Sequence, residues 1–174
     1  EQAILLGKKF DLDLVIVGGE ESYLVTELLS TYEVPVILGP THALPGTLDS
    51  DVDQPFKTPA ALHEAGVLFC LSNEGFWQQR NLPFQAGTAV AYGLPYEKAI
   101  QALTLDAATI LGVADRIGSL EVGKDASLII TSGDVLDMRT SVVEHAFIDG
   151  RKVDLDNKQD ELYRRFQTKY QRQK

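Results

Sequence analysis

Short apolar runs alternate with amphipathic segments along the first two thirds of the chain. Three of these runs are continuously hydrophobic and end in Gly, Pro or polar residues; they cover residues 14–17, 34–38 and 67–71. Runs of this kind are typical of strands that are buried on both faces. The segment between the first two runs has the periodicity of one buried helix face, with Glu20 and Glu21 placed in the first turn. The pattern therefore predicts βαβ units with parallel strands, either in a doubly wound sheet or in part of a (β/α)8 barrel.

Helical patterns follow a long polar loop over 41–57, whose length is typical of a functional loop. Thr58 is a candidate N-cap with Pro59 in the first turn, and Asp106 is a candidate N-cap further along. The helices predicted in this part of the chain cover residues 60–65, 82–92 and 107–111. Another helix is predicted to open with Pro95 at its first position, and its apolar residues are Ala99, Ile100, Ala102 and Leu103.

After residue 112 the pattern changes to short strand-like runs, at 117–120, 127–131 and 142–148. The dipeptide Asp149–Gly150 between apolar residues predicts a hairpin turn. The polar tail predicts a helix, with Leu162, Phe166 and Tyr170 on one stripe at four-residue spacing. The predicted parts are residues 1–112 with β/α units, 113–153 with β-strands, and 154–174 as a helical tail.

Composition and charge exclude several classes of function. The 174 residues are 44% hydrophobic and 24% charged, which excludes disorder for most of the chain. The net charge of −9 lacks the basic surface that nucleic acid or an anionic membrane requires, so neither is an expected partner. The single Cys70 excludes an internal disulfide, and three dispersed histidines leave little for a metal site. Because the chain begins at Glu1 without Met, we expect a fragment of a longer protein, and the compartment, cytoplasmic or periplasmic, stays open.

Several segments resemble one known family. The sequence RIGSLEVGKDASLII at 116–130, reached from a helix ending in ILG, resembles the C-terminal part of the amidohydrolase superfamily, and is most similar to its imidazolonepropionase-like members. FIDGRKV at 147–153 is similar to the last hairpin of that family. LVIVGGEESY, VPVILGP and LFCLSNEG resemble its sixth, seventh and eighth barrel strands. The resemblance covers roughly residues 1–153.

This resemblance implies an α/β fold that is the C-terminal part of a metal-dependent-hydrolase (β/α)8 TIM barrel, followed by the C-terminal strands of a small β-sandwich. It implies hydrolysis of a C–N bond in a cyclic amide or similar small molecule. In the family, an HxH pair and later histidines hold a divalent metal such as zinc, and an Asp after the eighth strand takes a proton from the metal-bound water. This chain has no HxH, carries Gly18 near the sixth-strand His position, and has Asn73–Glu74 at the expected Asp. The resemblance therefore implies that the chain alone holds no metal and that its full-length parent does.

The resemblance makes Glu74 the candidate general base, because a longer carboxylate keeps the chemistry of Asp while moving its oxygens. The alternative is an exposed acid in a turn. Asn73 is a second candidate at the same strand end, although an amide cannot accept the proton. His42 and Trp77 are candidate substrate-binding residues, with a solvated loop residue and simple packing as the respective alternatives.

Two functions stay open at this point. The first is a fragment of a hydrolase, inactive alone, whose parent acts on a small-molecule substrate. The second is a non-catalytic amidohydrolase-like scaffold used for binding or oligomerisation. A half-barrel leaves open strand edges, so the expected partner is either the missing N-terminal half or another copy of the chain.

Overall fold

The computed structural model describes residues 1–171, which form two separate three-stranded sheets and seven α-helices. The strands are β1 (Ile16–Gly18), β2 (Val36–Leu38), β3 (Phe69–Leu71), β4 (Leu128–Thr131), β5 (Val143–Ile148) and β6 (Arg151–Lys152). The helices are α1 (Gln2–Phe10), α2 (Thr26–Thr31), α3 (Gln54–Glu64), α4 (Leu82–Ala91), α5 (Tyr96–Leu103), α6 (Leu105–Ile110) and α7 (Lys158–Gln171). Short 3-10 turns lie at Ser22–Leu24 and Gln79–Asn81.

The first sheet is parallel, with strand order β1-β2-β3. Val36 of β2 pairs with Ile16 on one side and with Phe69 on the other. Val36 and Phe69 are fully buried, and Leu62 of α3 and Leu94 before α5 pack in the same core. The predicted parallel strands joined by helices are therefore confirmed, and β2 and β3 supply the centre of the hydrophobic core.

Strand β1 differs from the prediction that it is buried on both faces. Val17 is 71% exposed and Val15 is 41% exposed, whereas Ile16 packs against the core. The reason is the position of β1 at the edge of the sheet, where one of its faces is left open within residues 1–171. Continuous hydrophobicity is thus present in the sequence, but only one face of β1 is covered.

Two helix starts also differ from the predictions. Glu20 and Glu21 precede a 3-10 turn, and α2 itself begins at Thr26. Helix α3 begins at Gln54 rather than after Thr58, and Pro55 rather than Pro59 occupies its first turn.

The burial of two residues explains why α3 is longer than predicted. Thr58 and Pro59 lie on the buried face of α3, so packing against the core holds the helix through the proline. The hydroxyl of Thr58 donates to the carbonyl oxygen of Gln54 at 3.0 Å, so Thr58 bonds inside the helix instead of capping it.

Asp106 does not cap α6 as predicted; Thr104 takes the N-cap position. The Asp106 side chain is instead buried, 2.6 Å from Nζ of Lys98 on α5. The same ammonium lies 5.4 Å from the centre of the Phe69 ring. The ion pair therefore joins α5 and α6 next to β3 of the parallel sheet.

The second sheet is antiparallel, with strand order β4-β5-β6. Asp149 and Gly150 both have positive φ, of 50° and 72°, which confirms the predicted hairpin turn. The predicted strand at 117–120 is wrong, because these residues form a bend. Gly118 has φ 96° and packs against Ala108 of α6, a conformation that an extended strand does not have.

The segment 133–141 attaches the second sheet to α4 and α5. Leu136 is buried, and its carbonyl oxygen lies so close to Gly87 of α4 that a Cβ atom at Gly87 would overlap it. The hydroxyl of Tyr96 donates to the carboxylate of Asp134 at 2.8 Å, and this bond to the anion raises the pKa of Tyr96. The two attachments hold the antiparallel sheet against the helical layer.

Replacing Gly87 with Val is expected to lower the free energy of unfolding by about 1–3 kcal/mol, as overpacking against a fixed backbone does. Urea unfolding followed by circular dichroism measures the loss. Ala91→Val in the exposed last turn of α4 is the matched control and should cost clearly less. Equal losses in the two variants would contradict the close approach of Leu136.

Helix α7 confirms the predicted helical tail as far as Gln171, and residues 172–174 of that prediction lie outside the described residues. No side chain of α7 is buried between Lys158 and Gln171. Across residues 1–171, the structure contains no helix with the length and apolar character needed to cross a bilayer.

Candidate functional site

The carboxyl ends of the three parallel strands form one edge of the sheet. The N–H of Gly39 donates to the carbonyl oxygen of Gly18 at 2.9 Å. The N–H and the hydroxyl of Ser72 donate to the carbonyl oxygen of Leu38 at 2.9 and 3.0 Å. Residues that directly follow the strands are therefore held at this edge, which we name the carboxyl edge.

Asn73 and Glu74 follow β3 at the carboxyl edge. The Nδ2 group of Asn73 donates to the carbonyl oxygen of Gln78 at 2.6 Å, and so closes the turn 73–78. Glu74 in the same turn is exposed to solvent. The structure thus gives the amide of Asn73 a turn-closing bond and leaves the carboxylate of Glu74 accessible.

Two exposed aromatic side chains come after Glu74. Phe76 is 80% exposed and Trp77 is 72% exposed. Their rings meet edge to face, with centroids 5.3 Å apart. The turn therefore carries an aromatic pair next to an accessible carboxylate, a combination that can contact a small ligand through both apolar area and charge.

His42 lies in the loop after β2 and contacts α3 and α4. The hydroxyl of Thr88 lies 3.1 Å from the carbonyl oxygen of Phe84 and forms a hydrogen bond of 2.7 Å with Nε2 of His42. The imidazole also meets the Phe56 ring edge to face, with centroids 6.4 Å apart. His42 is exposed, but its Nε2 is hydrogen-bonded within the chain to Thr88.

The start of this loop is fixed by a buried pair of residues. The N–H of Thr41 donates to Oε1 of Gln85 at 2.8 Å, and its hydroxyl donates to the carbonyl oxygen of Gln85 at 3.1 Å. Both residues are almost fully buried. The link positions the loop after β2 on the helix α4.

The end of the same loop is held by an exposed charge cluster. Nζ of Lys57 lies 2.6 Å from Asp53 and 3.3 Å from Asp51. Hydrogen bonds to these two carboxylates raise the pKa of Lys57. Lys57 therefore binds both carboxylates and neutralises part of the negative charge at this end of the loop.

Glu20 belongs to the carboxyl edge and was missed from the sequence. A Cβ atom placed on Gly39 would lie 2.9 Å from Oε1 of Glu20, and one on Gly18 would lie 3.3 Å from its Oε2. The carboxylate therefore lies across the ends of β1 and β2, in space that two glycines leave open. The signal that could have found it is the Gly18–Gly19 pair at the strand end, followed at once by an acid.

A cleft runs from Glu20 towards the start of α3. Its polar lining comes from Glu20, Glu21, Tyr23, Ser50 and Gln54. The structure therefore places Glu20 in the cleft, His42 against α3 and α4, and the pair Glu74 and Trp77 in a separate turn at the carboxyl edge.

The residues of the carboxyl edge do not fit a metal ion. Across residues 1–171, no three side chains of His, Cys, Asp or Glu are grouped so that they could hold one. At the end of β1, Gly18 and Gly19 add no ligand to the carboxylate of Glu20, and the side-chain nitrogen of Asn73 bonds to Gln78. Cys70 within β3 is buried, and burial raises the pKa of its thiol, which disfavours the metal-binding thiolate.

Comparison with known proteins gives consistent matches. A sequence model of the amidohydrolase family matches residues 54–153. An imidazolonepropionase from Bacteroides thetaiotaomicron is 35% identical over 85 residues, which are 47% of this chain and 20% of that protein. The crystal structure of an amidohydrolase from Thermotoga maritima superposes with a TM-score of 0.77 at 37% identity, covering 87% of this chain and 39% of the other.

A zinc-containing structure shares the fold at lower identity. An adenosine deaminase from Xanthomonas campestris, with bound zinc, is 22% identical with a TM-score of 0.59. The match covers 95% of this chain and 44% of that protein. The chain thus spans less than half the length of each of these three proteins.

Proposed function

The chain belongs to the amidohydrolase family, and from this premise we propose that it is the C-terminal part of a hydrolase that acts on C–N bonds of a small molecule. The observation that carries the proposal is the accessible carboxylate of Glu74 at the carboxyl end of β3. In barrel enzymes the reacting groups come from this end of the strands. The cyclic amides and related rings handled by imidazolonepropionase-like enzymes are the proposed substrate class.

The proposed architecture extends the observed sheets. Residues 1–112 contribute three β/α units to a (β/α)8 barrel, and residues 113–153 contribute strands to a small β-sandwich. The tail 154–174 lies outside both. The exposed face of β1 and the two open sheet edges support this proposal, because further strands would cover them.

In the proposed reaction Glu74 is the general base. Its carboxylate takes a proton from a water molecule whose oxygen bonds to the substrate carbonyl carbon. The C–N bond then breaks, and the proton held by Glu74 passes to the leaving nitrogen, so that the product contains one added water. Trp77 and Phe76 supply an apolar wall beside this carboxylate, and His42 in the loop after β2 is the other proposed substrate-binding residue. Asn73 donates a hydrogen bond to Gln78 and so keeps the turn closed; in this proposal the closed turn positions Glu74.

The experiment that tests this function uses the full-length protein. It is incubated with a panel of five- and six-membered cyclic amides and imides, and products are analysed by mass spectrometry. Ring-opened products that are heavier by one water would support the proposal. If no member of the panel is opened by protein that contains metal and is folded, the hydrolase proposal fails.

A second candidate function is a non-catalytic scaffold that binds a ligand or a partner. The observations that favour it are Gly18 near the sixth-strand His position and Asn73 at the expected Asp position, because neither residue can take the role that the resemblance assigns to that position. The hydrolase and the scaffold can be distinguished by their products, because a scaffold binds the same cyclic compounds without opening them. Calorimetric binding without product would support the scaffold.

The metal content of the chain alone provides another prediction. Purified residues 1–174 are expected to bind no divalent metal stoichiometrically and to hydrolyse none of the panel, because the described residues lack a set of ligands. In the full-length protein, a divalent metal such as zinc is proposed to be held by residues outside this chain. Elemental analysis after dialysis measures the metal. About one zinc per chain would contradict the prediction.

A further inference from the structure

The cleft beside Glu20 at the carboxyl edge is a cavity that the proposed hydrolysis does not use. It encloses about 440 Å³, open solvent at its mouth included. The almost fully buried Leu38 lines its inner side, together with Pro40 and Pro45. Because proline fixes φ, these two residues make rigid walls. The cleft is therefore preformed, and its apolar lining can contact the carbon chain of a small ligand.

The carboxylate of Glu20 lies in this cleft and has no basic partner within residues 1–171. A Cβ atom on Gly39 would lie 2.9 Å from its Oε1 and one on Gly18 would lie 3.3 Å from its Oε2, so the two glycines leave the room that the carboxylate occupies. None of the ion pairs formed by Lys, Arg or His in this part of the chain involves Glu20. The carboxylate is therefore open to a cation that comes from outside the chain.

Glu21 and Tyr23 supply two more groups of the cleft. A Cβ atom on Gly46 would lie 3.9 Å from Oε1 of Glu21, so this second carboxylate faces the loop after β2. The half-buried side chain of Tyr23 lines the cleft as well. Carboxylates and an aromatic ring are the groups that bind ammonium ions in proteins, through charge-assisted hydrogen bonds and through the face of the ring.

The charges of the surrounding loops favour the same kind of ligand. Six Asp and Glu, but no Lys or Arg, occur in the loops that directly follow the three parallel strands, at residues 19–25, 39–53 and 72–78. The one histidine of these loops, His42, is hydrogen-bonded within the chain. Lys57 on α3 binds Asp51 and Asp53, and Arg80 lies beyond the loops in the second 3-10 turn. The net potential at this edge therefore attracts a cationic ligand and repels an anionic one.

We propose that the cleft binds the ammonium group of a substrate and that Glu20 is its counter-ion. The inference rests on the proposed hydrolysis in naming the substrate class, which is a cyclic amide whose ring carries an arm that ends in a protonated amine. Neighbouring strands lie about 4.8 Å apart, so Glu20 over the ends of β1 and β2 is roughly 5–10 Å from the end of β3. A butyl arm spans about one strand spacing and can join a ring at Glu74 to the cleft. Glu20 thus selects and positions the substrate by its charge.

The test compares three compounds that share one ring and differ in the charge of the arm. They are the hydantoins of lysine, norleucine and glutamate, whose arms end in an ammonium group, a methyl group and a carboxylate. Calorimetric titrations use the full-length Glu74→Gln protein, in which ring opening adds no heat. At low salt the lysine compound is expected to bind about 10–100-fold more tightly than the norleucine compound, the usual range for a hydrogen bond to a charged group. The glutamate compound should bind more weakly than both.

Two further substitutions locate the ammonium group in the cleft. Glu20→Gln should lower the affinity for the lysine compound to that of the norleucine compound, and should leave the norleucine compound unaffected. Gly39→Ala should also weaken the lysine compound, because the added methyl group displaces the carboxylate of Glu20. Glu64→Gln removes an exposed acid at the last residue of α3, near the amino end of β3, and is the matched control. Unchanged circular dichroism shows that each variant is folded.

Equal affinity for the lysine and norleucine compounds, or an affinity that Glu20→Gln leaves unchanged, overturns the proposal. Stoichiometric binding of Ca²⁺ alone that Glu20→Gln abolishes also overturns it, because the cleft then takes a metal ion. Mass spectrometry of reactions with the wild-type full-length protein decides the hydrolysis separately. Binding that depends on Glu20 without ring opening would keep the cleft and reject the hydrolase. Ring opening that is indifferent to the charge of the arm would keep the hydrolase and reject this role of Glu20.

Discussion

Replacing Glu74 with Gln in the full-length protein is expected to lower kcat by about 10²–10⁴-fold, the usual cost of losing a general base. Gln has nearly the same shape as Glu but cannot take the proton of the attacking water. KM and metal content should change little, because the side chain is exposed and the structure places it at a turn. Steady-state kinetics with the compound that the full-length protein opens fastest measures the effect.

The matched control is Glu64→Gln, since Glu64 is an exposed acid at the last residue of α3, which leads into the opposite, amino end of β3. It should leave kcat unchanged. An unchanged kcat in Glu74→Gln would reject Glu74 as the base. Glu20→Gln is the next variant, because Glu20 supplies the other carboxylate at this edge.

The second large effect concerns stability. Asp106→Ala is expected to lower the free energy of unfolding by about 3 kcal/mol, at the lower end of the cost of breaking a buried ion pair. The side chains of Lys98 and Asp106 are 16% and 10% exposed, so removing the carboxylate leaves an ammonium with little access to water. The Phe69 ring near this ammonium compensates only part of the loss.

The double variant Lys98→Met with Asp106→Leu separates charge from packing. It should regain most of the stability lost by Asp106→Ala, because two apolar side chains of similar size need no partner. Urea denaturation of the wild type, the single variants and the double variant gives the coupling energy. If Asp106→Ala unfolds at the same urea concentration as the wild type, the Lys98–Asp106 pair contributes nothing to the free energy of unfolding. Other contacts then hold α6 on β3.

Local sequence patterns predicted the elements whose burial is uniform. Strands β2 and β3 and helix α4 follow directly from continuous apolar runs and from an alanine-rich segment ended by Gly93. The predictions are wrong where the conformation of a residue depends on residues that are distant in the sequence. Nothing local distinguishes Asp106 as an N-cap from Asp106 as the partner of Lys98, and the proline pattern at Thr58 does not reveal that α3 begins one turn earlier. Position at a sheet edge likewise left one face of β1 uncovered.

The candidate site could be predicted only at strand ends. Glu74, Asn73 and Trp77 follow β3 in the sequence, and their place at the carboxyl edge comes directly from that order. Glu20 was assigned to a helix, because acids before an amphipathic segment usually lie in its first turn. Its actual position depends on the space left over Gly39. This glycine follows another strand, β2, so the contact cannot be seen from either segment alone.

The loop between β2 and α3 is hydrogen-bonded to the helices near its two ends and carries exposed apolar side chains between them. Thr41 is held on α4 by Gln85, and Lys57 binds the acids before it, while Leu44, Leu48 and Val52 between these ends are at least 75% exposed. Evolution can therefore lengthen, shorten or rewrite the middle of this loop with little cost to the core. Related proteins could in this way acquire different ligand preferences through insertions at residues 44–52 while keeping the same two attachment points.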